Sequence, residues 1–409
     1  MYSQNKRLKI AFLTAIDPQD KRSWSGIFYY AAQALQKHCG ELFYVGPAGS
    51  SKEAAPAKKA VYKRVKYLLK KAARKYFIYD YHISVAKKFA QAATQKLAEE
   101  TFDVIVAPAT LTEAAFLDTD IPIVLMEDAT FALLHNYYPE YSNLMQRSVR
   151  QLHTITARAI ERASLLVYSS TWAARSAVED YRAASEKVYV APMGANIEQI
   201  PSQEKINGKK KSDKCNLLFV GVSWQRKGGE IAFETLLKLE EMGIQANLVV
   251  CGCTPPKTFS HPRMRVIPFL DKNDPRQYAE LEQIYTDADF FFLPTRNECY
   301  GIVFCEANAF GLPVIATDTG GVSEIVRNGE NGFLLPPDAR GADYAEVIAK
   351  IYRDDQHYND LVRASRAAFD ERLNWDAWGM TVNRLVTDML AHKRSPGGAD
   401  VLKESNAAV

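Results

Sequence analysis

The sequence predicts an α/β protein of two domains, each built around a parallel sheet. Short apolar runs bounded by turn residues alternate with amphipathic stretches along the chain, which is the pattern of β-α-β units. The chain has 409 residues, and domains commonly contain roughly 100 to 200 residues. Residues 201–214 carry Gly208 and five lysines but few large apolar side chains, so we interpret this stretch as an interdomain linker.

Ten strands are predicted, five on each side of that linker. They are residues 9–15, 42–45, 104–107, 123–126 and 165–169 in the first half, and 216–222, 246–251, 265–268, 290–294 and 313–317 in the second. We therefore expect a first domain over residues 1–200 and a second over 215–372. A last helix at 373–393 is expected to pack back on the first domain, and a flexible tail follows at 395–409.

Composition excludes several classes of protein. The formal net charge of +3, from 51 basic and 48 acidic residues, gives no general argument for nucleic-acid binding. The six cysteines form no Cys-x-x-Cys pair, which favours a reducing compartment. The seven histidines lack metal-ligand spacing, so we expect no metal and no tightly bound cofactor. The polar start precedes only a short apolar run, so we expect no signal peptide, no membrane span and a cytoplasmic location.

The most informative segment is 291–337. After an apolar strand, a polar loop carries Glu298, and the helix that follows carries Glu306 in its early turns before Gly311 ends it. A second strand leads into a glycine pair at 320–321, whose backbone amides are of the kind that bind phosphate. Because the two glutamates lie on a loop and a helix, they are expected to contact different parts of one elongated ligand.

This layout resembles the donor-site signature of retaining glycosyltransferase family 4, whose fold is called GT-B. The signature is Glu-x7-Glu, then Gly-x-Pro-Val-Ile-Ala and a Gly-Gly loop, and it is matched here by Glu298, Glu306, residues 311–316, Gly320 and Gly321. The resemblance implies two Rossmann-like domains facing a central cleft. It also implies transfer with retention of the anomeric configuration, from a nucleotide-diphosphate sugar of UDP or GDP type.

The resemblance further implies which residues bind the donor. Glu298 is expected to hold hydroxyls of the donor sugar and Glu306 the ribose hydroxyls, while the backbone near Tyr300, Gly301 and Ile302 also contacts the donor. Carboxylates suit this task because charged acceptors make the stronger hydrogen bonds. In glycosidases two carboxylates instead act as acid and as nucleophile or base, and that alternative stays open at this point.

A basic loop follows the first strand of the second half. Arg226 and Lys227 come soon after Gly221 and open a helix, where cations are poorly placed for the helix dipole and therefore suggest a bound anion such as a diphosphate. A solvated pair of basic side chains is the alternative. In the resembled family an Arg and a Lys grip the diphosphate. Lys227 matches the Lys, whereas Val222 occupies the usual Arg position, which makes Arg226 the candidate for that role.

Two candidate positions lie in the first half. Gly26 follows the first strand and resembles the family's amino-terminal glycine loop, reduced to one glycine, with a plain turn as the alternative. Glu127 and Asp128 follow another strand. Asp128 is the candidate for orienting or deprotonating the acceptor hydroxyl, with a helix N-cap as the alternative. Residues 192–196 resemble the family's strand-to-linker hallmark, and they are expected to mark the domain boundary and to have a structural role.

Residues 54–79 form a basic segment with nine Lys or Arg and no acidic residue. Read as a helix, the segment places several of these side chains along one side, which is typical of docking at an anionic membrane surface. Basic runs are also typical of solvated helix faces, so both interpretations remain.

The function favoured by these patterns is transfer of a sugar to the hydroxyl of a glycan or lipid-linked acceptor, in glycan, glycolipid or cell-envelope polysaccharide synthesis. A nucleotide-sugar epimerase on the same fold is the first alternative, because fold alone does not fix function. A non-catalytic binder of nucleotide sugars is the second. The presence of Glu298, Glu306 and Lys227 argues against the second.

Overall fold

The computed structural model describes residues 7–46, 75–78, 81–209 and 211–394. These residues form two compact units. The second unit contains Asp20–Tyr30 and Pro192–Trp378, and the first contains the other described residues. Most of the basic segment proposed at 54–79 and all of the tail at 395–409 lie outside the described residues.

The first unit contains a parallel sheet of six strands in the order β2-β1-β3-β4-β5-β6. The strands are β1 Leu8–Leu13, β2 Gly40–Val45, β3 Val104–Pro108, β4 Ile123–Glu127, β5 Leu165–Tyr168 and β6 Val188–Val190. The helices around them are α1 Ile27–His38, α2 Ile83–Leu97, α3 Leu111–Ala114, α4 Phe131–Leu134, α5 Gln146–Arg162 and α6 Thr171–Glu179. The first four residues of α1 belong to the second unit. Every residue of β3, β4 and β5 is buried, as expected for parallel strands covered on both faces.

The second unit contains a parallel sheet in the order β12-β11-β10-β7-β8-β9. Its strands are β7 Cys215–Val220, β8 Ala246–Cys251, β9 Met264–Ile267, β10 Phe290–Leu293, β11 Val314–Thr317 and β12 Gly332–Leu335. The helices that follow β6 are α7 Gln203–Asn207, α8 Gly229–Glu241, α9 Pro275–Asp287, α10 Ile302–Ala309, α11 Val322–Ile325, α12 Gly341–Arg353, α13 Asp355–Glu371 and α14 Trp375–Arg394. This strand order is that of the doubly wound Rossmann fold.

The strand order places a topological switch point between β7 and β10. These strands are hydrogen-bonded neighbours, with Leu217 opposite Phe290. From β7 the strand order runs outward through β8 and β9, and from β10 it runs outward in the opposite direction through β11 and β12. Chain leaving β7 turns to one side of the sheet and chain leaving β10 to the other, which opens a crevice at their carboxyl ends where ligands of such folds bind. The loops after Val220 and Leu293 are therefore the first place to look for a site.

The predicted fold class is confirmed, and all ten predicted strands are present with ends shifted by at most two residues. Two strands were not predicted, β6 and β12, and each lies at the edge of its sheet. The predicted linker instead contains helix α7, capped by the Ser202 side chain and packed through the buried Ile206 within the second unit. The division between the units falls at Ala191 and Pro192 rather than after residue 200.

The final helix, α14, contains residues of both units, with Gly379 the first that belongs to the first unit. A Cβ atom on Gly379 would lie 2.7 Å from the His38 side chain, and the Cys39 thiol donates a weak hydrogen bond to the Gly379 carbonyl at 3.7 Å. This helix therefore packs against α1 within the first unit. Within the described ranges, no helix has the length and apolar character needed to cross a membrane, and no group of three or more His, Cys, Asp or Glu side chains is placed to hold a metal ion.

Candidate active site

Lys227 and Glu298 meet at the switch point of the second sheet. Lys227 follows β7 and Glu298 follows β10, and the Lys227 ammonium forms an ion pair with Oε2 of Glu298. Both side chains are more than nine-tenths buried. Burial lowers the pKa of Lys227, and the nearby Glu298 carboxylate partly opposes that shift. The structure thus brings together two residues that the sequence placed 71 positions apart, as a buried cation beside a carboxylate.

Arg226 fastens the basic loop to the loop that carries Glu298. Its Nη1 atom donates to the carbonyl of Asn297 at 3.0 Å. Its own carbonyl accepts from the Arg296 amide at 2.7 Å and from the Thr295 hydroxyl at 3.2 Å. The side chain is half-buried, whereas Val222, at the position where the resembled family has its Arg, is 68% exposed. Arg226 is therefore the basic group beside Lys227 at this loop.

The two loops approach each other closely at Gly228. This residue is the N-cap of α8, has a φ of +76°, and would place a Cβ atom 1.8 Å from the carbonyl oxygen of Pro294. A side chain cannot fit there, and a left-handed backbone favours glycine as well. Gly228 thus allows the Lys227 and Glu298 loops to come within contact distance.

Glu306 lies in the first turns of α10 and is 1% exposed. Its Oε2 atom accepts a hydrogen bond from the Tyr285 hydroxyl at 2.9 Å, and its Oε1 atom accepts one from the Lys272 ammonium at 2.5 Å. Burial and the Glu306 charge raise the pKa of Tyr285 well above its usual value, so the phenol stays protonated and donates. The Tyr285 ring stacks on Phe291 and Phe310 at centroid distances of 5.9 and 5.2 Å, which fixes its position.

Lys272 was not identified from the sequence. It lies in the loop between β9 and α9, and its ammonium also donates to the carbonyl of Asn196 at 3.2 Å. The sequence feature that could have identified Lys272 is its place shortly after a strand, at the carboxyl edge of a parallel sheet, in a segment otherwise typical of a turn. The site therefore contains two lysine–carboxylate pairs, a buried one of Lys227 with Glu298 and a partly buried one of Lys272 with Glu306.

Asn196, in the hallmark predicted to be structural, joins three distant parts of the second unit. Its Oδ1 accepts from the Trp375 indole at 2.8 Å, and its Nδ2 donates to the carbonyl of Ser25 at 2.8 Å. Trp24, Ser25 and Gly26 all have positive φ angles, of 46°, 57° and 92°. The predicted glycine loop is thus an unusual left-handed turn, and its backbone is held by Asn196.

The remaining predicted donor-binding residues surround α10 and α11. Tyr300 is buried, and its hydroxyl donates to the carbonyl of Met193 at 2.8 Å, so its side chain has a packing role. Gly301 is the left-handed N-cap of α10 and Ile302 its first residue. The amide of Gly321 donates to the carbonyl of Cys299 at 3.0 Å, and only the single helical turn of α11 follows it.

This last contact bears on the expectation for the glycine pair. The sequence predicted that backbone amides of the glycine pair bind a phosphate, and one of them, the Gly321 amide, is already engaged within the protein. Gly320 has a φ of +58°, which turns the chain between β11 and α11. Gly321, the N-cap of α11, thus joins this turn to the loop of Cys299, and the role of the pair in phosphate binding stays a prediction.

In the first unit, Asp128 directly follows β4 and is half-buried. The helix that comes next, α4, has Thr130 as its N-cap, so the N-cap alternative for Asp128 is wrong. Glu127 is the last residue of β4 and is 6% exposed. Burial, with smaller contributions from the charges of Asp128 and Glu113, raises the pKa of Glu127 well above its usual value. Burial also raises the pKa of Glu113, on α3, to about 7.

Several buried polar atoms lie where the strands of the first sheet end. Thr14 Oγ1, Thr110 Oγ1, Glu127 Oε1 and Ser169 Oγ have no hydrogen-bond partner among the described residues. They belong to chain at or just beyond the ends of β1, β3, β4 and β5, which are neighbours in the sheet. An unpaired buried polar atom costs about 1–3 kcal/mol. Sequence analysis proposed a role here only for Asp128, whereas the structure shows four further buried polar groups at the ends of neighbouring strands.

The match to a known protein family lies in the second of the two units. Residues 200–368 match the family model described as glycosyl transferases group 1. D-inositol 3-phosphate glycosyltransferase from Corynebacterium glutamicum strain R is 25% identical over 289 residues, which cover 66% of this chain and 67% of that protein. The matched domain lies entirely within the second unit, which carries both lysine–carboxylate pairs.

Solved structures resemble this chain over most of its length. Sucrose-phosphate synthase from Thermosynechococcus elongatus superposes with a TM-score of 0.67 at 18% identity, over 94% of this chain and 100% of that one. HepE from Anabaena, solved in complex with UDP and glucose, superposes with a TM-score of 0.60 at 18% identity, over 93% and 100%. These likenesses show the GT-B fold. The matched domain and the sequence relatives show that this chain is a glycosyltransferase of the hexosyltransferase type.

Proposed function

We propose that this glycosyltransferase moves a sugar from a nucleotide-diphosphate sugar, of UDP or GDP type, to an acceptor hydroxyl with retention of the anomeric configuration. The observation that carries the proposal is the placement of two lysine–carboxylate pairs, the buried Lys227–Glu298 and the partly buried Lys272–Glu306, at the carboxyl ends of the second sheet. The structure of HepE with UDP and glucose, on the same fold, supports a nucleotide sugar as the ligand class.

In this proposal Lys227 and Arg226 neutralise the diphosphate. Two phosphates carry several negative charges, and the switch-point crevice offers a buried ammonium next to a half-buried guanidinium. The charge on the diphosphate grows as the glycosidic bond breaks, so fixed cations favour the transition state over the ground state. Burial of Lys227 strengthens this effect because screening by water is reduced.

The two glutamates then hold the two ends of the donor. Glu298 accepts hydrogen bonds from hydroxyls of the transferred sugar, and its ion pair with Lys227 links the sugar to the diphosphate. Glu306 accepts from the ribose. Neither carboxylate is proposed as a nucleophile, because each already serves as the counter-charge of a lysine. A glycosidase mechanism with paired carboxylates is thereby disfavoured.

The chemical step exchanges one bond at the anomeric carbon for another. The bond from that carbon to the diphosphate oxygen breaks, the bond to the acceptor oxygen forms on the same face, and the acceptor proton goes to the departing diphosphate, either directly or by way of Asp128. Asp128 is retained as a candidate for orienting or deprotonating the acceptor hydroxyl. No metal and no tightly bound cofactor take part in this scheme, so a chelator should leave the transfer rate unchanged.

The acceptor class proposed is a glycan or lipid-linked hydroxyl of polysaccharide, glycolipid or cell-envelope synthesis, in the cytoplasm. Docking of residues 54–79 at the inner face of a membrane would bring the enzyme to such an acceptor. The Corynebacterium relative is named for D-inositol 3-phosphate, which makes that compound a defined acceptor to test first.

The test has two stages. A thermal-shift panel of UDP, GDP, ADP and their common sugars identifies the donor, because a ligand that binds only the native state raises its stability. Release of free nucleotide diphosphate is then measured with and without acceptor, and the anomeric configuration of the product is read by NMR. Release that needs acceptor is expected for a transferase. Isomerisation of the sugar nucleotide without acceptor would instead indicate the epimerase.

A further inference from the structure

Glu306 and Lys272 offer complementary hydrogen-bonding groups side by side. An ammonium has three N–H donors, and that of Lys272 gives one to Glu306 Oε1 and one to the carbonyl of Asn196. Each carboxylate oxygen has two acceptor positions, and those of Glu306 are shared with Tyr285 on one oxygen and with Lys272 on the other. One N–H donor of the Lys272 ammonium therefore lies beside acceptor positions of the Glu306 carboxylate.

We propose that Lys272 completes the ribose site of the nucleotide, together with Glu306. One ribose hydroxyl donates to Glu306, and the oxygen of the neighbouring hydroxyl accepts from Lys272. A vicinal diol suits this pair because each hydroxyl is both a donor and an acceptor. The inference rests on the proposed function, in which Glu306 binds ribose, and it adds the group that distinguishes a diol from a single hydroxyl.

The position of Lys272 is fixed by its surroundings. Its side chain is 14% exposed, and Asn196, which holds its ammonium, is itself held by Trp375 and Ser25. The loop is closed by Asp271, which accepts from the Asn273 amide at 2.9 Å. A lysine on a free loop would lose side-chain entropy when it bound a ligand, whereas one already ordered loses little.

A specificity follows for the nucleotide. A site built to hydrogen-bond a hydroxyl rejects an analogue that lacks it, because its own polar groups are then left unpaired in a buried place. Glu306 alone can accept from either single hydroxyl by a small adjustment. With Lys272 ordered beside it, both hydroxyls are required, so the chain should discriminate strongly between ribonucleotides and 2′-deoxyribonucleotides.

The experiment is calorimetric titration with UDP, 2′-deoxy-UDP, GDP and 2′-deoxy-GDP. For whichever base the wild type binds, we expect a ribo-to-deoxy affinity ratio of at least about tenfold, the size of one charge-assisted hydrogen bond. Lys272→Met keeps the length of the side chain and removes the ammonium. It should lower the affinity for the ribonucleotide about ten- to hundredfold and bring the ratio close to one.

Lys238→Met is the matched control, since Lys238 lies on an exposed face of α8 and pairs with Glu241 in the i+3 position. It should leave both affinities unchanged. Lys272→Arg tests for misfolding, because it keeps a cation beside Glu306 and should retain part of the ratio.

Three results would overturn the inference. If the wild type binds the ribonucleotide and the 2′-deoxyribonucleotide equally well, the inferred ribose site is wrong, although the proposed function still stands. Equal losses of both forms in Lys272→Met would assign Lys272 a purely structural role. A wild type that binds neither UDP nor GDP overturns the proposed function, and the ribose site with it.

Discussion

Gly228 and Pro294 stand so close that a single methyl group on Gly228 would lie 1.8 Å from the Pro294 carbonyl oxygen. Gly228 opens α8 after β7, and Pro294 follows β10, so this contact joins the two loops that leave the sheet at its switch point. Lys227 precedes the glycine and Glu298 lies four residues after the proline. The separation of this ion pair is therefore set by a backbone contact.

Gly228→Ala should disrupt that contact. A left-handed residue other than glycine costs about 1–2 kcal/mol by itself, and the clash adds to it. Gly243 is a suitable control, because its φ is also +76° but no heavy atom lies within 4 Å of the position that a Cβ atom would occupy there. In urea titrations, Gly228→Ala should lower the free energy of unfolding by roughly 2 kcal/mol more than Gly243→Ala does. It should also weaken nucleotide diphosphate binding. Equal losses of unfolding free energy in the two variants would show that the backbone at Pro294 moves away from the added methyl group without cost.

Lys227→Met should weaken nucleotide diphosphates far more than nucleosides. The lost contact is charge-assisted and is made to phosphate, so the diphosphate affinity should fall about ten- to hundredfold. Calorimetry with UDP and uridine, or GDP and guanosine, measures the difference, with Lys238→Met as the control. Similar losses for nucleoside and diphosphate would remove the phosphate role from Lys227.

Glu298→Gln and Glu306→Gln should separate the two ends of the donor. Glu298→Gln should leave diphosphate binding nearly intact and reduce kcat by about two to three orders of magnitude, the cost of one preorganised polar contact at a reacting centre. Glu306→Gln should mainly raise KM for the donor, because a ribose contact is present in ground and transition states alike. Steady-state rates and diphosphate titrations of both variants provide the check. The reverse pattern would mean that the donor lies in the opposite direction.

The buried Glu113 should make the stability of the chain depend on pH in an unusual direction. Its pKa rises from 4.5 to about 7 in the native state, so between these values the native chain binds the proton and the unfolded chain does not. The stabilisation is complete below pH 4.5 and is lost as pH rises through 7. At about 1.4 kcal/mol per pKa unit the loss is on the order of 3 kcal/mol.

Glu113→Gln removes this titration and keeps the side chain uncharged. Relative to wild type, the variant should gain free energy of unfolding between about pH 5 and pH 8, measured by urea titration at each unit of pH. Glu99→Gln, at an exposed position of the same unit, should show no such gain. A flat difference for Glu113→Gln would indicate that water reaches the native carboxylate.

The basic segment at 54–79 should bind anionic vesicles if it docks on membranes. The attraction is screened over roughly 10 Å at 0.1 M salt, so the protein should sediment with phosphatidylglycerol liposomes at low salt and detach as salt is added. Phosphatidylcholine vesicles serve as the uncharged control. A protein that remains in the supernatant at low salt has a solvated basic face instead.

Most of the fold could be predicted from the sequence because its central strands are buried on both faces and leave continuous apolar runs. The strands that were missed, Val188–Val190 and Gly332–Leu335, are edge strands with partly exposed residues, so their runs are short. The place of Asp20–Tyr30 in the second unit could not be predicted either. It depends on contacts such as that of Ser25 with Asn196, which are 171 residues apart and leave no local pattern.

Some residues of the candidate site could likewise be predicted from the sequence, and others could not. Glu298, Glu306 and Lys227 followed from motif spacing, and the structure places Lys227 against Glu298. Lys272 did not, because its importance comes from a neighbour on another element, and a single lysine in a polar loop has no distinguishing pattern. The roles of Arg226 and Asp128 stay predictions.

Asn196 has a consequence for how the chain is made. It hydrogen-bonds Ser25, near the start, and Trp375, near the end, so the second unit has its full set of contacts only after Trp375 has left the ribosome. The first unit also needs the end of the chain to complete its contacts, because Gly379 packs against His38. Domains commonly fold in order as they emerge during synthesis. Here neither unit can be finished before the other has been translated, and a chain interrupted ahead of α14 leaves two incomplete cores for chaperones and proteases to handle.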